Sequence, residues 1–250
     1  MSRSFYHLTG PEVAAALERS PVAVLPFGSV EQHGPHLPTG TDTIAARLVA
    51  QDVAERLDAV FVPFGPYGIT PIHAGHPGTI SLRRATFEAL VADVCNALVT
   101  MGADRLVFVN WHEGNIAALD AAATDLQARH GPLHVVSAQA CYVAQRLYAE
   151  QGGELTHGGG LEALAVLAHD PALVHIDRAG GGGRSEMAEA LDAMRRGREV
   201  YGYITDVTEI DEAGWYGEPG WASEELASDF AAIVATAIAF QVQSIFELRP

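Results

Sequence analysis

Four short apolar runs constrain this chain more than any other feature of it. They are residues 22–27 (VAVLPF), 59–63 (AVFVP), 105–110 (RLVFVN) and 133–138 (LHVVSA). Each is brief, apolar and bounded by turn formers, so each reads as a buried strand. Between and around them lie segments of helical period, at 11–19, 41–57, 85–101, 116–130, 142–150 and 161–168. In the helix at 41–57 the apolar stripe is Ile44, Leu48, Val49, Val53 and Leu57. Strands alternating with helices give a mostly parallel sheet with helices on both faces. Beyond residue 170 the pattern weakens. Residues 180–183 are four glycines, read as a hinge or disordered tip. A surface helix at 185–196, an edge strand at 201–207, an aromatic loop at 214–221 and a long helix at 223–246 complete the reading. No internal repeat or domain boundary is visible, so one domain spans 1–250.

In open α/β sheets, ligands bind beyond the carboxyl ends of the strands. Candidate chemistry collects there. The first run empties into a loop carrying Glu31 and His33, and a helix opening at Thr41-Asp42 follows. Glu31 and His33 are two apart, so in extended chain they leave one face. Asp42, in the first turn of its helix, can aim its carboxylate back at both. The second run leads to His73 and His76, and the third to Asn110-Trp111-His112-Glu113-Gly114-Asn115. A later Gly-rich stretch holds His157 and, five residues on, Glu162. Each residue alone has a plain structural reading as a cap, a loop imidazole or a solvated charge. Together they make a mixed carboxylate–imidazole set suited to zinc, manganese or iron. Glu31, Asp42, Glu162 and one hydroxide would balance two divalent ions. Asp42, with two oxygens, is the natural bridge between metals ~3.5–4 Å apart.

Other chemistries fail on pattern. No lysine follows a glycine run, so there is no phosphate loop. His112-Glu113 has no second histidine at zinc-protease spacing, and Ser29 sits in no nucleophile elbow. The formal net charge of −16, from 31 acidic and 15 basic residues, argues against nucleic acid and anionic membranes as partners. Apolar residues make up 48 %, enough for a substantial core. The two cysteines suggest no disulfide framework. The start lacks an apolar secretory segment, and the run at 230–240 is too short to cross a bilayer. A cytoplasmic protein is expected.

At these residues the chain resembles the creatininase (creatinine amidohydrolase) family. The block from Gly28 to Asp42 matches G-S-x-E-Q-H-G-P-H-L-P…T-D, and Pro77 to Leu82 matches P-G-T-x-S-L with His76 ahead of it. Asn110 to Asn115 follows N-G-H-x-x-N, and His157 to Glu162 follows H-x-G-x-x-E. The resemblance implies a three-layer α/β/α sandwich and a dinuclear metal centre. It also implies hydrolysis of C–N amide bonds other than ordinary peptide links. Carried over, Glu31, Asp42 and His112 would hold one metal, and His33, Asp42 and Glu162 the other. His157 would shuttle a proton or touch substrate. Ring-shaped homo-oligomers, commonly hexamers, are also implied.

The chain departs from creatininase itself in three places. Glu113-Gly114 replaces a Tyr and a metal-binding Glu, Trp111 replaces a Gly, and a Trp-Asp pair ahead of His157 is missing. Creatinine is therefore not the expected substrate. Glu113 is kept as an alternative second-metal ligand, a catalytic proton carrier or a pocket residue. Trp111, His73 and His76 are expected substrate contacts. The expected activity is a metal-dependent amidohydrolase acting on a small amide, lactam or formamide. The alternatives are an amidase acting on a modified peptide, a non-catalytic relative keeping the fold, and metal-assisted lyase or isomerase chemistry.

Overall fold

The computed structural model describes residues 3–180, 186–197, 199–200 and 202–248. Helix α1 (Gly10–Arg19) leads into β1 (Val22–Phe27), then α2 (Thr41–Arg56) and β2 (Val60–Phe61). Helix α3 (Arg84–Thr100), β3 (Arg105–Asn110), α4 (Ile116–His130) and β4 (His134–Gln139) follow. The remaining regular elements are helices: α5 (Ala140–Leu147), α6 (Gly160–His169), α7 (Glu186–Gly197), α8 (Glu224–Ala227) and α9 (Phe230–Leu248).

The four strands form one sheet in the order β2-β1-β3-β4, every pairing parallel. Every residue of β1 is buried, which is why it reads as a continuous apolar run rather than an alternation. Val22, Val24, Val107 and Val109 pack on one side, with residues of α2, α5, α6 and α9. Ala23, Leu25, Phe27, Leu106 and Phe108 pack on the other, with α1, α3 and α4. Period-two alternation along β1 and β3 thus divides two cores, and helices cover both faces.

Several expectations shift. Strand β2 shrinks to two residues, and β4 starts and ends one residue later than read. Residues 79–82 contribute only a single bridge, Val30 to Ile80. Residues 202–206 form no strand. Of the glycine run only Gly180 lies among the described residues, and Ser185 lies outside them. The last helix breaks at Ser228-Asp229, so α9 starts later and runs further than read.

The buried face of α2 is also displaced. It consists of Ala45, Ala46, Val49, Ala50, Val53 and Ala54, whereas Ile44 and Leu48 lie at its margin. Small side chains let α6 and α9 approach closely, a demand of packing that periodicity of large residues does not reveal. The segment Glu224–Leu248 is long and apolar enough to span a bilayer by length and composition. Within this fold, however, α9 buries Phe230, Val234, Ala235, Ile238, Ala239 and Val242 in the core.

Phe108 lies at the centre of the second core, fully buried, with its ring 5.1 Å from Phe27 and edge-on to it. Phe108→Ala is expected to cost about 3–5 kcal/mol of unfolding free energy. Denaturant unfolding monitored by circular dichroism reads this as a lower midpoint at unchanged slope.

Candidate metal centre

Three strand ends and the start of α6 build the site. Gly28 ends β1 where the first turn of α2 passes. A Cβ at Gly28 would lie 2.5 Å from the backbone of Thr43, so only glycine permits this approach. The contact brings Asp42 over the loop, where Ser29 Oγ donates to Asp42 Oδ2 at 2.8 Å. Asn115 then ties the loops together. Its Nδ2 donates to the Gly28 carbonyl at 2.9 Å and its Oδ1 accepts from the Ile69 amide at 3.0 Å. One buried amide thereby links the loops after β1, β2 and β3.

Glu31, His33 and Asp42 are almost wholly buried, at 2 %, 0 % and 1 % exposure. His33 Nε2 lies 3.3 Å from Asp42 Oδ1 and 3.6 Å from Glu162 Oε1. His112 Nδ1 lies 3.0 Å from Asp42 Oδ2 and 3.6 Å from Glu31 Oε1. His157 Nδ1 is 3.6 Å from Glu31 Oε1 as well. Three overlapping triads result: Glu31-Asp42-His112, His33-Asp42-Glu162 and Glu31-His33-His157. Within each, one ligand-type atom per residue lies within 4.8 Å of the others.

The outer nitrogens explain the orientation of the rings. His33 Nδ1 donates to the Glu31 carbonyl at 3.0 Å, and His112 Nε2 to that of Ile69 at 3.0 Å. His157 Nε2 donates to the Gln32 carbonyl at 2.7 Å. Each ring therefore turns its other nitrogen inward, as metal-binding imidazoles do. Glu31 Oε2 and His33 Nε2 are buried without a hydrogen-bond partner, a costly condition that a cation relieves.

The electrostatics agree. Burial opposes charge on His112, but Glu31 and Asp42 outweigh it and lift the pKa to about 10. The same contest raises His33 well above its usual range, through Glu162 and Asp42. Burial would raise Asp42, yet His33 and His112 hold it well below the carboxylate range. Burial raises Glu31 and Glu162. The cluster thus draws positive charge into a closed space. By contrast, burial and the charges of His33 and His112 push His73 down to about 3, and burial and His33 push His157 well below its usual value. Those two rings are neutral bases. His157 lies tilted between its neighbours, its ring centroid 4.4 Å from that of His33 and 4.1 Å from that of His73.

The remaining candidates fall outside the triads. Glu113 accepts from the Tyr142 hydroxyl at 2.7 Å, at the rim. His73 Nε2 is 3.7 Å from Glu31 Oε1, and His76 Nε2 faces Asp206 Oδ1 at 3.2 Å. Trp111, expected as a substrate contact, is instead a core residue. It is buried with its ring 5.9 Å from Phe230, because the backbone after β3 turns the indole towards α9. The aromatic loop is also structural in part. Tyr216 pairs with His157 in an isolated bridge, and Trp215 packs on His36 at 4.5 Å. Sequence reasoning gave no role to Ser29, Gln32, His36 or Asn115. Only their enclosure in polar surroundings marks them, and that exists only once the chain is folded.

A parallel sheet carrying buried carboxylates and inward imidazoles at its strand ends defines an α/β protein of the metallohydrolase kind. The family profile described as "Creatininase: Creatinine amidohydrolase" matches residues 6–242. The chain belongs to the creatininase family, and it is a hydrolase of that family. It is 34 % identical over 214 residues to the mycofactocin precursor peptide peptidase of Mycolicibacterium smegmatis, covering 81 % of this chain and 76 % of that one. It is 33 % identical over 199 residues to the creatinine amidohydrolase of Pseudomonas putida, covering 71 % and 76 %. A solved structure of manganese creatininase superposes with a TM-score of 0.79 at 28 % identity, over the whole of both chains. A mutant creatininase of the Zn-Zn type gives 0.78 at 26 %, covering 100 % of this chain and 99 % of that one. The expected three-layer α/β architecture agrees with the sheet and with these neighbours.

Proposed function

We propose that this protein is a dinuclear metal-dependent amidohydrolase whose substrate is an amide bond in a modified peptide. The sharing of Asp42 by two of the three triads, with His33 and His112 facing its two separate oxygens, carries the proposal. Glu31, Asp42 and His112 would hold one ion, and His33, Asp42 and Glu162 the other, with Asp42 shared. Zinc and manganese suit this donor set, and iron is compatible with it. Divalent ions in such a site supply Lewis acidity and make bound water acidic near neutral pH. The chain supplies the rest. Ser29 fixes the Asp42 carboxylate, and the backbone carbonyls of Glu31 and Ile69 fix the two ligand imidazoles. His157, whose Nδ1 faces Glu31 Oε1 at 3.6 Å, would take a proton and pass it to the leaving nitrogen. Glu113 and Tyr142 stand at the rim, where they meet substrate rather than metal.

The choice of a peptide amide rests on the likeness to the mycofactocin precursor peptide peptidase, which extends over more of this chain than the likeness to creatinine amidohydrolase. A small cyclic amide is the second reading, favoured by the whole-chain superposition on creatininase. Cytoplasmic residence fits two buried cysteines free of disulfides. A homo-oligomer fits the exposed Ile233 and Phe240 of α9, which leave apolar surface for a second copy.

The test is elemental analysis of the purified protein, followed by turnover assays on peptide amides, lactams and formamides. Metal binding and turnover that a chelator removes and zinc or manganese restores are expected. A protein that binds neither ion, or that loads them and cleaves no amide, would refute the reading.

A further inference from the structure

Four imidazoles meet at the acidic cluster, and one of them is wired against the others. His33, His112 and His157 each donate an outer N–H to a backbone carbonyl, at 3.0, 3.0 and 2.7 Å. Each therefore turns its other nitrogen towards the carboxylates of the cluster. The outer nitrogen of His73 meets a donor instead. Its Nδ1 lies 3.3 Å from Gln32 Nε2.

The orientation of the Gln32 amide is settled by two backbone groups. Its Oε1 accepts from the Gly34 amide at 2.9 Å, and its Nε2 donates to the Gly214 carbonyl. The second Nε2 hydrogen has two nitrogens in reach, His73 Nδ1 at 3.3 Å and His157 Nε2 at 3.2 Å. His157 Nε2 already carries the hydrogen it gives to the Gln32 carbonyl, so it cannot accept. His73 Nδ1 is the acceptor, and the His73 proton must sit on Nε2. That N–H points towards Glu31 Oε1 at 3.7 Å, too long for a direct hydrogen bond. His73 also belongs to none of the triads found among the described residues.

We propose that Gln32 is a positioning residue that sets His73 as an Nε2–H donor, and that this donor binds the oxygen of the substrate carbonyl. The inference rests on the hydrolase reading for the oxygen but not for the tautomer. Attack on an amide carbonyl builds negative charge on that oxygen. A fixed, neutral N–H aimed at the place where charge grows lowers the barrier without reorganising. The loop carrying Gly214 takes part, because its carbonyl holds the glutamine in the orientation that fixes the tautomer. Gln32 thereby joins residues 202–221 to the reacting atoms, although it touches no reacting atom itself.

The experiment is a long-range proton–nitrogen correlation spectrum of zinc-loaded protein labelled with nitrogen-15 histidine. It distinguishes Nδ1–H from Nε2–H rings, and His73 is assigned by the signals lost in His73→Gln. Wild type is expected to show His73 protonated on Nε2. Gln32→Glu offers an acceptor in place of the donor, so the His73 proton should move to Nδ1. With zinc content equal to wild type, kcat should fall about a hundredfold while KM changes by less than about threefold, the effect of losing one such donor. Gln32→Met, which offers neither group, should give a mixture of tautomers and an intermediate kcat.

An Nδ1-protonated His73 in wild type overturns the proposal without any variant or any assay. So does a Gln32→Glu protein whose His73 stays protonated on Nε2, whatever its rate. If no substrate is ever turned over, the spectra still decide the tautomer, and it is the hydrolase reading that fails.

Discussion

Asp42→Asn is expected to abolish metal-dependent turnover, lowering kcat/KM by more than about a thousandfold. Asp42 is common to two of the three triads, those with His112 and with Glu162, and His33 and His112 approach its two oxygens separately, at 3.3 and 3.0 Å. The amide keeps the shape of the carboxylate but offers one acceptor where two are needed. The Ser29 hydroxyl still has an oxygen to bond, so the loop keeps its anchor. The decisive measurement is thermal unfolding with and without added zinc. Wild type should gain about 4 kcal/mol at a zinc concentration a thousand times its dissociation constant. The variant should gain much less. Equal metal-induced stabilisation in the two proteins would show that Asp42 is no shared ligand. The variant will also be less stable without metal, since removing one member of a buried charged cluster costs about 3–5 kcal/mol. The increment on adding metal, rather than the absolute midpoint, is therefore the quantity to compare.

Gly114→Glu places a carboxylate where the creatininase pattern has a metal-binding one, and it is expected to damage the protein. A Cβ at position 114 would lie 2.1 Å from the Ile69 carbonyl oxygen and 2.5 Å from His112 Nε2. Those two atoms form the hydrogen bond that aims His112 inward. Something in that pair must move, and the new side chain starts from a displaced backbone. Loss of an orienting partner of this kind costs about 10- to 100-fold in metal affinity or activity. Calorimetric titration with zinc measures the first and initial rates the second. Gly220→Ala serves as the control, since nothing lies within 4 Å of a Cβ there. A Gly114→Glu protein with wild-type zinc affinity would mean that this loop yields more easily than its contacts imply.

Much of the fold was legible because its strands are buried on both faces and read as plain apolar runs. Residues 22–27 and 105–110 were placed to the residue for that reason. Strand β2 was overestimated because Ala59 and Val62 are about as buried as Val60 and Phe61, although only those two pair in register with β1. Apolarity records enclosure, which extends past the paired residues to Val62, whose amide still donates to the Val24 carbonyl at 2.9 Å. The tryptophan after β3 was misjudged on similar grounds. Its neighbours in sequence face the site, but its own direction depends on α9, more than a hundred residues away.

The site divides in the same manner. Glu31, His33 and His112 stood out as ligand types just after strands, and Asp42 and Glu162 as carboxylates in the first turns of helices. The wiring of the imidazoles did not. The His112 ring is turned by the carbonyl of Ile69, and that of His157 by the carbonyl of Gln32. Both contacts join distant stretches through backbone atoms, which every residue possesses and no motif records. Gln32 was quoted within the first block yet given no task, since an amide between two ligands looks like a spacer until its partners are in view.

The Asn115 amide has a consequence for how substrates are chosen. By pinning three strand-end loops to one another, it makes the support beneath the carboxylate–imidazole cluster a single stiff platform. Residues 202–221 reach that platform through a few threads, among them the Gly214 carbonyl on Gln32 and the Tyr216 bridge to His157. A change of clientele during evolution is therefore expected to fall on residues 202–221, with the three pinned loops beneath them left alone.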